Sequence, residues 1–228
     1  MKEKTVVMSL GGSIIVPDEI NYVFINEFKD LIKRLSKKMK FIIVIGGGST
    51  ARKYINPLLK EGLSNKEACL IGIGITRLNA RFMANFVGKP AAKHLPSSMK
   101  ELKNMLTKDR IVFTGGLRFV PNNTSDGTAA MIASFLKTDL INMTNVKGLY
   151  TKDPNKFKDA EFIPKISFED FNKIVSKIKY HAGQHFVLDQ HASKTIKEHR
   201  IKTVIIGENL KNLENYLLGK KFVGTVIS

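Results

Sequence analysis

The chain has 228 residues, 43% of them hydrophobic, and only seven scattered prolines, which supplies a substantial core and excludes intrinsic disorder or a Gly/Ser linker between modules. Its formal net charge is +17, but thirty of the 37 basic residues are lysines spread over the whole length, which favours a solvated surface over a nucleic-acid face. The single cysteine, Cys69, excludes an internal disulfide, and apolar runs such as Phe41 to Ile45 fall far short of the roughly 20 residues that cross a bilayer.

The first apolar run ends at Gly11-Gly12, too short for the roughly 7–15-residue core of a signal peptide. A cytoplasmic protein with residues 1–228 in one domain is therefore expected. Val6-Val7-Met8 reads as a strand entering the turn Gly11-Gly12-Ser13. Pro17-Asp18 then opens a helix whose apolar residues Phe24, Phe28, Leu31 and Leu35 recur at helical spacing. Lys33, Arg34, Lys37, Lys38 and Lys40 close it, where positive charge suits the helix dipole.

The pattern then repeats. Phe41 to Ile45 has the β-branching of a buried strand and runs into Gly46-Gly47-Gly48, with Ser49 or Thr50 as the expected cap of a helix from Ala51. Further strands are expected at 111–113, 140–143, 203–206 and 223–227, and helices at 129–135 and 168–178. Strands alternating with helices predict an α/β fold with a mainly parallel sheet covered on both faces. Ligands of such sheets bind at the carboxyl ends of strands, here marked by Gly11-Gly12-Ser13, Gly46-Gly47-Gly48, Gly115-Gly116 and Thr144-Asn145.

Glycine turns let backbone N–H groups approach an anion, although tight strand-to-helix turns use glycine for sterics alone. No G-x-x-x-x-G-K-[ST] is present, and Gly72 and Gly74 do not form a G-x-G-x-x-G fingerprint, which argues against P-loop and dinucleotide folds. Arg52, one turn into the second helix, is either a bidentate phosphate ligand or a surface ion-pair partner. Asp126 is either a helix cap or an acidic catalytic group. His181, His185 and His191 cluster, with metal ligation or plain exposure as the alternatives. Cys69 reads as a small packed side chain.

Four segments together resemble the archaeal UMP kinases of the amino-acid-kinase family. They are Gly11-Gly12-Ser13, the run from Gly46 to Tyr54, the run from Ile71 through Thr76, Arg77 and Asn79 to Ala80, and the run from Thr144 to Pro154. Ala182-Gly183, Asp189 and Gly224-Thr225 extend the resemblance nearly end to end. It implies a three-layer α/β/α sandwich, usually hexameric, that transfers the γ-phosphoryl group of Mg-ATP to UMP. By that resemblance Gly12, Ser13, Gly48 and Arg52 serve ATP, Thr144, Tyr150 and Asp153 hold its adenosine end, and Gly47 approaches UMP. The segment from Leu117 through Asn123 to Ser125 wraps the acceptor phosphate, with Thr124 and Ser125 donating. Asp126 organises the catalytic groups. Mg2+ would accompany the ATP, and no metal is assigned a site in the protein itself.

The sequence departs from the family pattern at three places. Ser9 stands where related kinases often carry a lysine, leaving Arg52, Lys152 and Lys165 as candidate replacements. Cys69 stands where an aspartate holds the acceptor ribose, and a thiol is a poor hydrogen-bonding substitute. Lys147 replaces an aspartate, and the loop from Leu117 to Asn123 is longer than usual. These departures keep open a same-fold kinase for a carboxylate, carbamate or isoprenoid phosphate. They equally leave a silent nucleotide sensor or a basic nucleic-acid-binding module as alternatives.

Overall fold

The computed structural model describes residues 3–119, 123–177 and 187–228. In chain order the elements are β1 (Thr5–Leu10), α1 (Gly12–Ile15), α2 (Tyr22–Leu35), β2 (Lys40–Ile45), α3 (Gly48–Lys60), α4 (Asn65–Val87), α5 (Met99–Lys108) and β3 (Ile111–Thr114). There follow α6 (Ser125–Leu136), β4 (Leu140–Met143), β5 (Leu149–Tyr150), β6 (Phe162–Ile163), β7 (Lys165–Ile166), α7 (Phe168–Ser176), α8 (Gln190–Glu198), β8 (Thr203–Ile206), α9 (Leu210–Leu217) and β9 (Thr225–Ile227). The main sheet has the order β3-β2-β1-β4-β8-β9-β7, and β8–β9 is its one antiparallel pairing, while β5 and β6 form a separate hairpin.

The two faces of the sheet follow from the two-residue side-chain period of a strand. On β1, Val6, Met8 and Leu10 enter one core with Phe41, Ile43 and Phe113 under α2, α4 and α9. Val7 faces the other core with Ile42, Val44 and Val112, covered by α5, α6, α7 and α8. The result is the three-layer α/β/α sandwich that the sequence resemblance implied. Phe28, fully buried in the first core, contributes roughly 1.5–3 kcal/mol by its burial.

Several local expectations shift. Helix α2 starts at Tyr22 rather than at Pro17-Asp18, because the Asn21 side chain accepts from the Phe24 amide and caps it. Helix α3 starts at Gly48 with Gly47 as its cap. Ser49 is therefore no cap; its hydroxyl donates to the Val16 carbonyl at 3.2 Å and ties α3 to the end of α1. The last strand begins at Thr225, since Val223 is held instead by the Asn212 side chain through both its N–H and its carbonyl.

The long helix α4 carries the run Ile71-Gly72-Ile73-Gly74-Ile75, for which the sequence offered no element. A capping box at Ser64 and Glu67 nucleates it, and those hydrogen bonds hold the Glu67 carboxyl below the usual carboxylate range. Gly72 packs closely on α3: a Cβ there would stand 3.2 Å from the terminal methyl of Ile55, which would have to give by a few tenths of an ångström.

Candidate active site

The register of the sheet brings the marked turns to one edge. Leu10 is level with Ile45 and Met143, Val44 with Thr114, and Met143 with Ile206. Gly11, Gly46, Gly115 and Thr144 therefore leave four neighbouring strands side by side. From β1 the chain passes to β2 on one side while β4 lies on the other, the switch point at which open α/β sheets bind ligands.

The first two glycine turns are in backbone contact. A Cβ on Gly12 would stand 2.1 Å from the Gly48 nitrogen and 2.6 Å from the Gly46 carbonyl carbon. Gly48 also has a φ of +65°, which disfavours any side chain. Sterics thus account for glycine at both positions, and the same close approach leaves bare backbone facing the cleft.

Asp126 lies in the first turn of α6, where Thr124 rather than Asp126 is the cap: the Thr124 hydroxyl oxygen accepts from the Asp126 amide at 3.1 Å. The Asp126 carboxylate is turned toward β1 and accepts a 2.6 Å hydrogen bond from Ser9, which is fully buried. Although part of Asp126 opens to the cleft, its surroundings exclude enough water to push its pKa up to about 7. Burial is the main cause and the charge of Asp189 adds to it, while the Ser9 hydrogen bond opposes both.

Asp189 is itself 3% exposed and joins two helix starts. One of its oxygens accepts from the Thr124 amide, the Thr124 hydroxyl and the Gly127 amide; the other accepts from Ala192 at the start of α8. Both donor groups of Thr124 are thereby committed to Asp189, so a phosphate would compete for them. Ser125 carries no such commitment to Asp189.

These elements enclose a cleft of about 1160 Å³ including its open mouth, at the strand ends where ligands of such sheets bind. Of the residues singled out by sequence, Gly12, Ser13, Gly47, Gly48, Arg52, Asn123, Thr124, Ser125, Asp126 and Thr144 line it. Leu117 is packed against the second core instead. Tyr150 sits on the β5–β6 hairpin edge-on to Phe162, and Asp153 holds the following turn by accepting from the Asn155 amide. Lys152 pairs with Asp159, and Lys165 lies on β7, so of the three candidate cations Arg52 alone reaches the cleft lining.

Arg118 is a second guanidinium in the lining, and nothing in the sequence distinguishes it from other loop cations. Cys69 also lines the cleft, beside Gly72 and Ile73 of α4. His181 and His185 lie outside the described residues, as do Ala182 and Gly183. His191 is on α8 with its Nδ1 3.5 Å from the Thr195 hydroxyl. Gly224-Thr225 acts structurally: the Thr225 hydroxyl oxygen accepts from the Leu149 amide at 2.7 Å and its hydrogen goes to the Ile163 carbonyl.

Among the described lining residues the charged groups are Arg52, Arg118 and Asp126. A cleft of backbone turns and guanidinium groups with so little acid is built for anions, which places the chain among phosphate-handling α/β proteins. The model of the amino acid kinase family matches residues 4–207, and the chain belongs to that family.

Its relatives narrow the branch. The uridylate kinase of Thermoplasma volcanium is 36% identical over 226 residues, covering 98% of this chain and 97% of the relative. That of Archaeoglobus fulgidus is 36% identical over 224 residues, covering 98% and 99%. The crystal structure of uridylate kinase from Archaeoglobus fulgidus superposes with a TM-score of 0.84 at 35% identity, covering 99% of this chain and 100% of that one. A structure of isopentenyl phosphate kinase shares the fold at 20% identity, with a TM-score of 0.72.

Proposed function

We propose that this chain is a UMP kinase, transferring the γ-phosphoryl group of Mg-ATP to UMP and yielding ADP and UDP for pyrimidine nucleotide biosynthesis. The observation that carries the reading is the joining of the Gly11-Gly12-Ser13 and Gly46-Gly47-Gly48 turns by backbone contact in one cleft, in a chain 36% identical to uridylate kinases over almost its whole length. The turn after β1 and Thr144 take the donor side; Gly47 and the stretch leading to Ser125 take the acceptor side.

The acceptor is already a phosphate and needs no general base, so positioning and charge neutralisation are what the site must supply. Arg52 and Arg118 are the guanidinium groups placed to do this, and they take over from the lysine that Ser9 replaces. Mg2+ fits a cleft with one carboxylate, since this ion binds through one or two carboxylates and substrate phosphates while keeping its waters. Asp126 would be that carboxylate, and the ion would supply neutralisation of the donor phosphates. Among the described residues no cluster of three metal-ligating side chains exists.

We read residues 1–228 as one catalytic unit that works in the cytoplasm; no helix among the described residues is long and apolar enough to cross a membrane. Homo-oligomer formation, hexameric by family resemblance, is favoured by large apolar side chains left exposed on α2, α3 and α4. There Tyr22, Val23, Tyr54 and Leu78 are each more than 60% exposed, and the Tyr22 ring meets Phe86.

The test is turnover by the purified chain with Mg-ATP against UMP, CMP, dUMP, carbamate and an isoprenoid phosphate. UDP as the favoured product supports the reading. Preference for another acceptor overturns the UMP assignment, and nucleotide binding without turnover overturns the enzyme.

A further inference from the structure

The run from Ile71 to Ala80 resembles a family motif, yet the reaction as described gives it no task. In the structure it lies in the middle of α4, where Thr76 and Asn79, three residues apart, share one helix face. That face is directed at the ends of β2 and β3.

Asn79 is 7% exposed and lies beneath the cleft. Its side-chain amide donates to the Gly46 carbonyl at 2.9 Å and to the Gly47 carbonyl at 3.3 Å. In a trans peptide the carbonyl and the N–H of the following residue point in opposite directions. Drawing the Gly46 and Gly47 carbonyls down onto Asn79 therefore turns the N–H groups of Gly47 and Gly48 away from the buried side, and both residues line the cleft. The Gly47 carbonyl also accepts from the Ala51 amide at 3.2 Å in the first turn of α3, so Asn79 acts chiefly on the Gly46 carbonyl, to which its bond is the shorter.

Thr76 performs the matching task on the next turn. Its hydroxyl oxygen accepts from the Gly116 amide at 3.0 Å while its hydrogen goes to the Ile73 carbonyl at 2.8 Å. The contact is close: a Cβ on Gly115 would stand 2.5 Å from the Thr76 backbone. The turn from which the segment leading to Ser125 departs is thus seated on α4.

We propose that Thr76 and Asn79 are positioning residues of the phosphotransfer site, with Asn79 setting the peptide planes of the Gly46-Gly47-Gly48 turn and Thr76 setting the origin of the acceptor segment. The proposal rests on the UMP kinase reading for its substrates and adds to it a purpose for α4. A single rigid helix fixes two turns from two strands relative to each other, which is the requirement when catalysis is chiefly alignment.

The experiment compares full-length Asn79→Asp, Thr76→Val and Thr76→Ser with the parent, by steady-state kinetics below the melting temperature of the weakest variant. Asn79→Asp keeps the shape but puts an oxygen against the two carbonyls; it is expected to lower kcat by about 10- to 100-fold. Thr76→Val keeps the volume and loses both hydrogen bonds, and is expected to raise KM for UMP about tenfold with KM for ATP nearly unchanged. Thr76→Ser restores the hydroxyl and should recover KM to within about threefold.

Folded Asn79→Asp and Thr76→Val with parental kcat and KM overturn the proposal, as does Thr76→Ser impaired like Thr76→Val. Should the parent itself fail to phosphorylate UMP, the functional reading falls instead. The positioning claim is then read from the thermal shift that Mg-ATP induces, which Asn79→Asp should reduce and Thr76→Val should retain; equal shifts in all variants overturn it.

Discussion

Ser9 of β1 donates a 2.6 Å hydrogen bond to Asp126 of α6 across 117 residues of sequence, joining a fully buried strand hydroxyl to the single carboxylate of the described cleft lining. The folded protein keeps the Asp126 proton up to about pH 7, against a value of 3.8 for an unperturbed aspartate. Stability linked to this group is therefore fully present below about pH 3.8 and lost as pH rises through about 7.

Asp126→Asn stays neutral at every pH and can still accept from Ser9. It is expected to be more stable than the parent at pH 8, on the order of 2 kcal/mol once the partly open cleft is allowed for, with the difference vanishing toward pH 4. Turnover should fall about 100-fold in the same variant. Thermal melts over this pH range and kinetics at pH 8 check both statements, and a stability gain independent of pH would remove burial of charge as the explanation.

Asp126 is the carboxylate among the described lining residues, and neither Arg52 nor Arg118 forms an ion pair with it or with any other described residue. Their charge is available to a ligand. Arg52→Ala and Arg118→Ala should each lower kcat/KM by about 100-fold while leaving the melting temperature within about 2 °C of the parent. Arg52→Lys should recover only part of the loss, because a point charge lacks the bidentate fork. Steady-state kinetics at fixed ionic strength give the answer, and a variant with parental kcat/KM would remove that arginine from the site.

How far the sequence discloses all this depends on the range of the interactions involved. The strands 41–45 and 140–143 were legible because a buried parallel strand must be a continuous apolar run. The cleft was legible at Gly12, Gly48 and Arg52, since strand-end turns are local. Helix α4 was not: the Ile-Gly alternation from 71 to 75 imitates the period of a strand, and only Ser64 and Glu67 signal a helix start. The commitment of Thr124 to Asp189 and the pairing of Ser9 with Asp126 span 65 and 117 residues, so no local pattern encodes them.

The exposed apolar face gives a prediction about assembly. Leu78 is 63% exposed on α4, and Val23 is 68% exposed near the start of α2. An exposed face of large apolar side chains marks an interaction surface. Leu78→Asp and Val23→Asp place a charge there and are expected to shift the chain to a smaller species in sedimentation or light scattering, with its circular dichroism spectrum unchanged. A monomeric parent would refute the oligomer, and variants that keep the parental assembly would move its interface to another face.

Two glycines make opposite predictions from one substitution. At Gly12 an added Cβ meets backbone of the Gly46-Gly47-Gly48 turn at 2.1 Å, and backbone cannot rotate away as a side-chain end can. Gly12→Ala must therefore push the two turns apart; a displacement near 1 Å costs about 100-fold in turnover, and the strained packing costs stability. Gly74, exposed inside α4, has nothing within 4 Å of the same added atom. There alanine restricts the unfolded chain and favours the helix, so Gly74→Ala should raise stability by about 0.5–1 kcal/mol with turnover unaltered. Denaturant unfolding and initial rates on the pair separate the two effects: a tolerated Gly12→Ala would show that the turns can part without loss, whereas a destabilised Gly74→Ala would show that this face of α4 is covered in the assembled protein.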